Sequence, residues 1–284
     1  MVTCDDRKRS FSTKSESLTV DSNGEALDTS TNDLLLIFSF IFGLVFGSFL
    51  NVVAYRVPRR ESVRRPGSHC PACHHALAPA DLVPLFSWLW LGGRCRYCNA
   101  LIAVRYPVLE LATGGLFAAT YLTVPSWGMR LAWWFFWLLL MALVGTDLTS
   151  MRVPNVLSYP GAAVAVLLSS VSGVLGWGVA VTGALSGFAM VLVIHLLSRG
   201  NMGMGDAKLY LTIGAMLGPL YTVESFVFAS LSAAVIGLAL RLSGLIGRRA
   251  YIPFVPHIAI GVVVTVFFGH SVTMWYLQKI VGIA

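Results

Sequence analysis

From Leu34 to Tyr276 the chain is a succession of apolar runs, most of them about 17–25 residues long, the length a helix needs to cross a hydrocarbon core. Eight are read, at 34–55, 106–124, 131–148, 155–173, 176–197, 207–221, 224–243 and 254–276. In lipid a backbone must satisfy its own hydrogen bonds, so runs of this kind fold as helices. Only 12% of the residues are charged, where soluble domains carry about 25%. The predicted fold class is all-α: a polytopic integral membrane protein with about eight transmembrane helices. Gly176-Trp177-Gly178 marks the turn between the fourth and fifth spans, and no reliable internal repeat is evident.

Four regions follow. Residues 1–33 are polar and read as a disordered tail. The first apolar run begins only at Leu34 and is too long for a signal-peptide core, so no cleavable signal is expected. Residues 34–55 form the first span, 56–105 a polar insert, and 106–284 the remaining membrane domain. The net charge of +7 does not imply nucleic acid, because Arg59, Arg60, Arg64 and Arg65 cluster just after the first span. Basic residues there set topology and meet anionic lipid head groups. Arginines and lysines concentrate in the loops after odd-numbered spans, which places those loops in the cytosol and both termini outside.

The insert carries Cys70-Pro71-Ala72-Cys73 and Cys95-Arg96-Tyr97-Cys98. Each short turn aims two sulfurs at one point, and two turns complete a tetrahedron, the pattern of a four-thiolate zinc site. In the cytosol disulfides seldom persist. Four thiolates leave no open coordination position, so the zinc is expected to be structural. His69, His74 and His75 lie nearby and read as surface residues. A strip from Leu82 to Trp90 reads either as the core of a small metal-stabilised module or as a segment lying on the membrane.

Two acids stand out against this background. Asp147 ends the third span and Asp206, in Gly203-Met204-Gly205-Asp206, opens the sixth, both at the predicted cytosolic face. A carboxylate at bilayer depth costs roughly 2.5–3.5 kcal/mol on insertion scales. Two that share a site split one proton, and such a pair activates water for amide hydrolysis without a metal or a covalent intermediate. The helix start at Asp206 favours its ionised form and the helix end at Asp147 disfavours it, which predicts Asp206 as base and Asp147 as proton holder. Alone, Asp206 reads as a plain N-cap. Glu110 either pairs with an arginine or lines the site, and Lys208 either pairs with Asp206 or marks the membrane surface.

An ordered set of motifs runs from about Gly47 to Gly261. It comprises Gly47-Ser48-Phe49-Leu50-Asn51, Tyr55-Arg56-Val57-Pro58, the two cysteine knuckles, Arg105-Tyr106-Pro107 with Glu110, Asp147, Val153-Pro154-Asn155, Gly203-Met204-Gly205-Asp206 and Ile252-Pro253-Phe254. In this the chain resembles the prepilin peptidases, or type IV leader peptidases, intramembrane aspartic proteases with a G-x-G-D motif. The resemblance implies cleavage of the basic leader from type IV prepilins or pseudopilins at the cytosolic face of the bacterial inner membrane, with Asp147 and Asp206 catalytic. Members carrying the cysteine insert commonly also N-methylate the new terminus with S-adenosylmethionine. Two other classes fit paired membrane acids or a cysteine insert. A proton-coupled transporter is disfavoured because both acids sit at one face rather than at the midplane. A non-enzymatic zinc-knuckle scaffold would leave the aspartates dispensable.

Overall fold

The structure, a computed structural model, describes residues 29–199, 202–245, 247 and 251–282. Among these it is helical throughout its membrane part: α1 (Thr29–Arg56), a short α2 (Phe86–Trp90), α3 (Arg105–Thr123), α4 (Trp127–Ser150), α5 (Asn155–Val171), α6 (Trp177–Leu197), α7 (Met204–Leu242) and α8 (Val255–Tyr276). The all-α membrane class is as expected. Five helices (α1, α4, α6, α7 and α8) are long and apolar enough to cross a membrane. The segments read as the second and fourth spans, now α3 and α5, are not among them, and α5 has only 17 residues. Residues 29–33, read as part of the polar tail, are helical and extend α1 at its start; the rest of that tail lies outside the described residues.

The sixth and seventh predicted spans are both contained in α7. Gly218 has φ 74° and ψ 174°, outside helical geometry, and Pro219 follows it. The positive φ suits a residue without Cβ, and the proline cannot supply the next backbone donor. The chain turns back here. Tyr210 and Phe226 would stand about 24 Å apart on a straight helix rising 1.5 Å per residue, yet their ring centroids are 5.8 Å apart. The break therefore divides α7 into two limbs that pack against each other, with Thr222 Oγ1 donating to the carbonyl of Gly218 just past the bend.

α4 is the central element, and its face is lined by Trp134, Phe136, Trp137, Leu140 and Leu143, all buried. The rings of Phe117 on α3 and Trp134 stack at 4.9 Å, and Trp137 Nε1 donates to Thr120 Oγ1 at 2.9 Å. Lipid tails are as apolar as these side chains, so tight packing and polar links, rather than escape from water, hold helices together. The closest approach is between α6 and the first limb of α7. A Cβ on Gly183 would collide with the Gly214 carbonyl, and one on Gly214 with that of Gly183.

The insert is a pair of matching knuckles. His69 bridges Ala76 and Arg94 bridges Leu101 in the same antiparallel manner. Cys70 N–H donates to His75 O at 3.0 Å and Cys95 N–H to Ala100 O at 2.8 Å. His74 and Asn99, at equivalent positions, both adopt positive φ. This two-fold repeat escapes the sequence reading because only the cysteines recur at the spacing. Arg56, at the end of α1, is 6% exposed. Its guanidinium donates to the carbonyls of Ser62, Val63 and Gly67, stapling the start of the insert to the end of α1.

Gly183→Ala and Gly214→Ala are expected to lower the melting temperature of the protein in detergent sharply, since the obstructing atoms are backbone and cannot rotate away. Gly115→Ala, whose Cβ would meet nothing within 4 Å, is expected to be neutral or slightly stabilising. Thermal unfolding of the three variants side by side checks this.

Candidate active site and cysteine cluster

Asp147 sits in the last turn of α4 and Asp206 in the first turn of α7. Each is 7% exposed. They are 59 positions apart in the chain, yet both line one open cavity of about 1370 Å³. The walls come from the α1 end (Val57 to Glu61), the α4–α5 loop, the α6–α7 loop and the segment Tyr251–Phe254. These are the loops that the basic-residue pattern placed on one side. Phe226 and Ser230, on the second limb of α7, also reach the cavity because of the reversal at Gly218; nothing in their local sequence marks them.

Each aspartate is positioned by its neighbours. Thr149 Oγ1 donates to Ala54 O at 2.8 Å, tying the end of α4 to α1. The backbone N–H of Val255, first residue of α8, donates to Asp147 Oδ2 at 3.1 Å. Asp147 thus faces a helix N-terminus, which favours a carboxylate, as Asp206 does in the first turn of α7. The unfavourable dipole of its own helix was the ground for giving Asp147 the proton, and this contact removes that ground. A Cβ on Gly205 would stand 2.8 Å from Cβ of Val153, so the glycine before Asp206 lets α7 press against the α4–α5 loop. Lys208 does not pair with an acid: it donates to Asn155 Oδ1 at 2.8 Å, joining α7 to α5. His195 Nδ1 contacts the Met202 carbonyl just ahead of the G-x-G-D turn.

Glu110 takes neither predicted role at the pair. It is 8% exposed and accepts the Leu85 N–H at 2.9 Å, lining a separate cavity between the insert and α1 and α3.

The ligand atoms of Cys70, Cys73, Cys95 and Cys98 all lie within 4.8 Å of one another, and all four cysteines are free thiols. Sulfurs held about 2.3 Å from a tetrahedral zinc stand about 3.8 Å apart; Cys70 Sγ and Cys98 Sγ are 3.8 Å apart. Burial pushes the Cys70 thiol up, but the N–H groups of Cys73 and Ala72 outweigh it and bring the pKa to about 7. At Cys98 the Ala100 contact lowers the value, yet partial desolvation and the three neighbouring sulfurs push it up to about 12. Crowded thiols resist deprotonating together unless a cation joins them. Beside the cluster, Arg96 Nε donates to Asp81 Oδ1 at 2.7 Å. Partial burial of Asp81 raises its pKa, but Arg96, the Ala78 N–H and Tyr97 outweigh it and hold the carboxyl below its ordinary value.

The fold and the two paired sites define a helical membrane protein with a carboxylate pair at one face and a four-thiol knuckle insert. Residues 41–124 match the model of the Bacterial Peptidase A24 N-terminal domain, and residues 134–238 match that of the Type IV leader peptidase family. A Bacillus subtilis (strain 168) protein named prepilin leader peptidase/N-methyltransferase is 35% identical over 249 residues, 86% of this chain and 98% of its own length. Similarly named proteins of Aeromonas salmonicida (strain A449) and Myxococcus xanthus (strain DK1622) are 34% and 36% identical, over 85% and 74% of this chain and 93% and 64% of their own lengths. The chain belongs to the type IV leader peptidase family. No solved structure matches it.

Gly205→Ala is expected to cost about 1–3 kcal/mol through overpacking against Val153. Val153→Ala in the same chain is expected to recover most of that loss, because the two changes share one contact. A double-mutant cycle on thermal stability checks the coupling; additive losses would show that the contact does not set the approach of α7.

Proposed function

We propose that this protein is a membrane aspartic endopeptidase that removes the leader from type IV prepilins or pseudopilins and then N-methylates the new terminus with S-adenosylmethionine. Asp147 and Asp206 form its catalytic pair, at the cytosolic face of the bacterial inner membrane. One observation carries the reading: two buried acids from distant helices line a single cavity that opens at the end of the helix bundle. The names of the relatives supply the reaction and its substrate class.

The chemistry follows from the pair. With one proton between them, the ionised carboxylate takes a proton from water as it attacks the scissile carbonyl, and the protonated one supports the developing oxyanion and then the leaving amine. The Val255 N–H keeps Asp147 aimed while the charge moves. A prepilin has a basic leader in the cytosol and an apolar helix in the bilayer. Its cut site therefore falls at the interface, where the cavity opens.

Cys70, Cys73, Cys95 and Cys98 suit a structural zinc, which would cross-link the two knuckles and leave no open position for chemistry. Leu89 and Phe86 on α2, with Trp90 at 86% exposure, fit the lipid head-group layer, where tryptophan is favoured. Trp88 on the same helix turns inward instead, its Nε1 donating to the Ile102 carbonyl. The apolar strip thus divides between the two roles read from the sequence.

Asp147→Asn and Asp206→Asn are each expected to reduce prepilin cleavage by at least roughly 10²–10⁴-fold with unchanged melting temperature. Mass spectrometry of a prepilin after incubation checks this, and full cleavage by either variant would refute the pair. Elemental analysis of chelator-free protein is expected to find one zinc per chain, lost in Cys98→Ser, with thermal stability falling more than peptide hydrolysis. Protein free of zinc would overturn the ligand assignment.

A further inference from the structure

The seam between α6 and the first limb of α7 ends on a histidine. Gly183 meets Gly214 and Gly187 meets Tyr210, each so closely that a Cβ on the α6 glycine would strike the carbonyl opposite. Each advance along α6 is matched by an equal step back along α7, as antiparallel helices require. Val191, buried, continues the row on α6, and His195 comes next, at the four-residue spacing that keeps side chains on one face. Its partner is the one this register calls for: the ring Nδ1 meets the Met202 carbonyl. A carbonyl only accepts, so Nδ1 carries the proton and donates. The backbone of the histidine is held as well, because its own carbonyl accepts Ser198 Oγ at 3.0 Å.

The peptide that His195 grips leads straight to one of the aspartates. Met202 and Gly203 line the aspartate cavity, and His195 stands behind them, outside its wall. Gly203 is the residue just before α7. Its carbonyl accepts the Asp206 N–H at 3.1 Å, and the Asp206 carboxylate folds back over it, with Oδ2 3.1 Å from where a Cβ would stand. A trans peptide unit is planar, so its C=O and N–H point in opposite directions. Holding the Met202 carbonyl toward α6 therefore turns the Gly203 N–H away from α6 and fixes the plane on which the carboxylate rests. Glycine rotates freely, and without that grip the peptide would have many orientations to sample.

We propose that His195 is a positioning residue for Asp206: by clamping the Met202–Gly203 peptide to the rigid end of α6, it keeps the carboxylate aimed into the cavity during hydrolysis. This rests on the reading of Asp147 and Asp206 as the catalytic pair and brings a further helix, α6, into their support. The ring touches neither the carboxylate nor the cavity, so it acts on the bond-breaking step and not on substrate docking. A displacement of about 1 Å at a reacting group can cost on the order of 10²-fold in rate, so losing the clamp shows in kcat.

The test measures prepilin cleavage by the full chain in lipid nanodiscs. His195→Leu is expected to lower kcat at least tenfold and to leave KM within twofold of the unaltered protein. His195→Asn, whose side-chain amide nitrogen takes the place of Nδ1, is expected to restore kcat to within threefold. His195→Gln, whose amide nitrogen falls nearer Nε2, is expected to stay at least fivefold below the Asn variant. If His195→Leu does not fold, the comparison of Asn with Gln decides alone, because the two differ in where the donor sits and not in polarity. Unchanged kcat in His195→Leu, a loss that falls on KM instead, or equal rates for Asn and Gln overturns the assignment. Asp206→Asn runs alongside: full cleavage by that variant overturns the pair itself, whereas its inactivity beside a fully active His195→Leu removes only the role of the histidine.

Discussion

The mutual contact of Gly183 and Gly214 governs how the rest of the molecule is assembled. With no water to drive helices together in lipid, association rests on how closely two backbones can come. Here each glycine faces the other's carbonyl with no room for a methyl group. The contact fixes the first limb of α7 against α6, and the reversal at Gly218 begins one turn later. Asp206 lies at the other end of that limb. A packing contact two turns away therefore helps to set where Asp206 stands in the bundle, together with its own contacts to the Gly203 backbone.

The carboxylates are tolerated where they are because of helix ends rather than countercharges. Asp206 occupies the start of α7 and Asp147 accepts a donor from the start of α8. An arginine in either place would hold its carboxylate permanently ionised and would prevent the proton exchange that the proposed mechanism requires. A backbone N–H and a helix terminus give partial charge only, so they hold the acids in place while leaving them free to titrate. The same logic explains why Lys208, only two residues from Asp206, spends its ammonium on Asn155.

What the sequence made legible was local. The knuckle spacing of the four cysteines was enough to foresee their convergence, because each Cys-x-x-Cys turn closes within itself. Hydropathy was enough to foresee helices, and the pattern of basic residues foresaw which of their loops gather together. What it could not carry were contacts made across the chain. The Asp147–Val255 hydrogen bond joins residues 108 positions apart, and the sequence around Asp147 pointed to the opposite electrostatic setting. Gly218 and Pro219 were hidden inside an apolar run, so the sixth and seventh spans were divided a few residues too late. The burial of Arg56 against three carbonyls was not foreseen either, because such a contact has no signature in composition. Glu110 was visible as a misplaced acid, but only the packing of the insert over α1 and α3 shows which cavity it faces.

That packing gives the insert a purpose beyond holding four thiols. The insert closes over α3 through the Leu85–Glu110 hydrogen bond, the Trp88–Ile102 bond braces it internally, and Arg56 ties its base to α1. The end of α1 is consequently shared: one side of its last turn belongs to the insert cavity and the residues just after it to the aspartate cavity. Loss of order in the knuckles would be felt first at the insert cavity, which they wall directly. The aspartates sit on α4 and α7, with Asp147 held by the start of α8, so the proposed hydrolysis depends on the knuckles less directly, through the end of α1 alone.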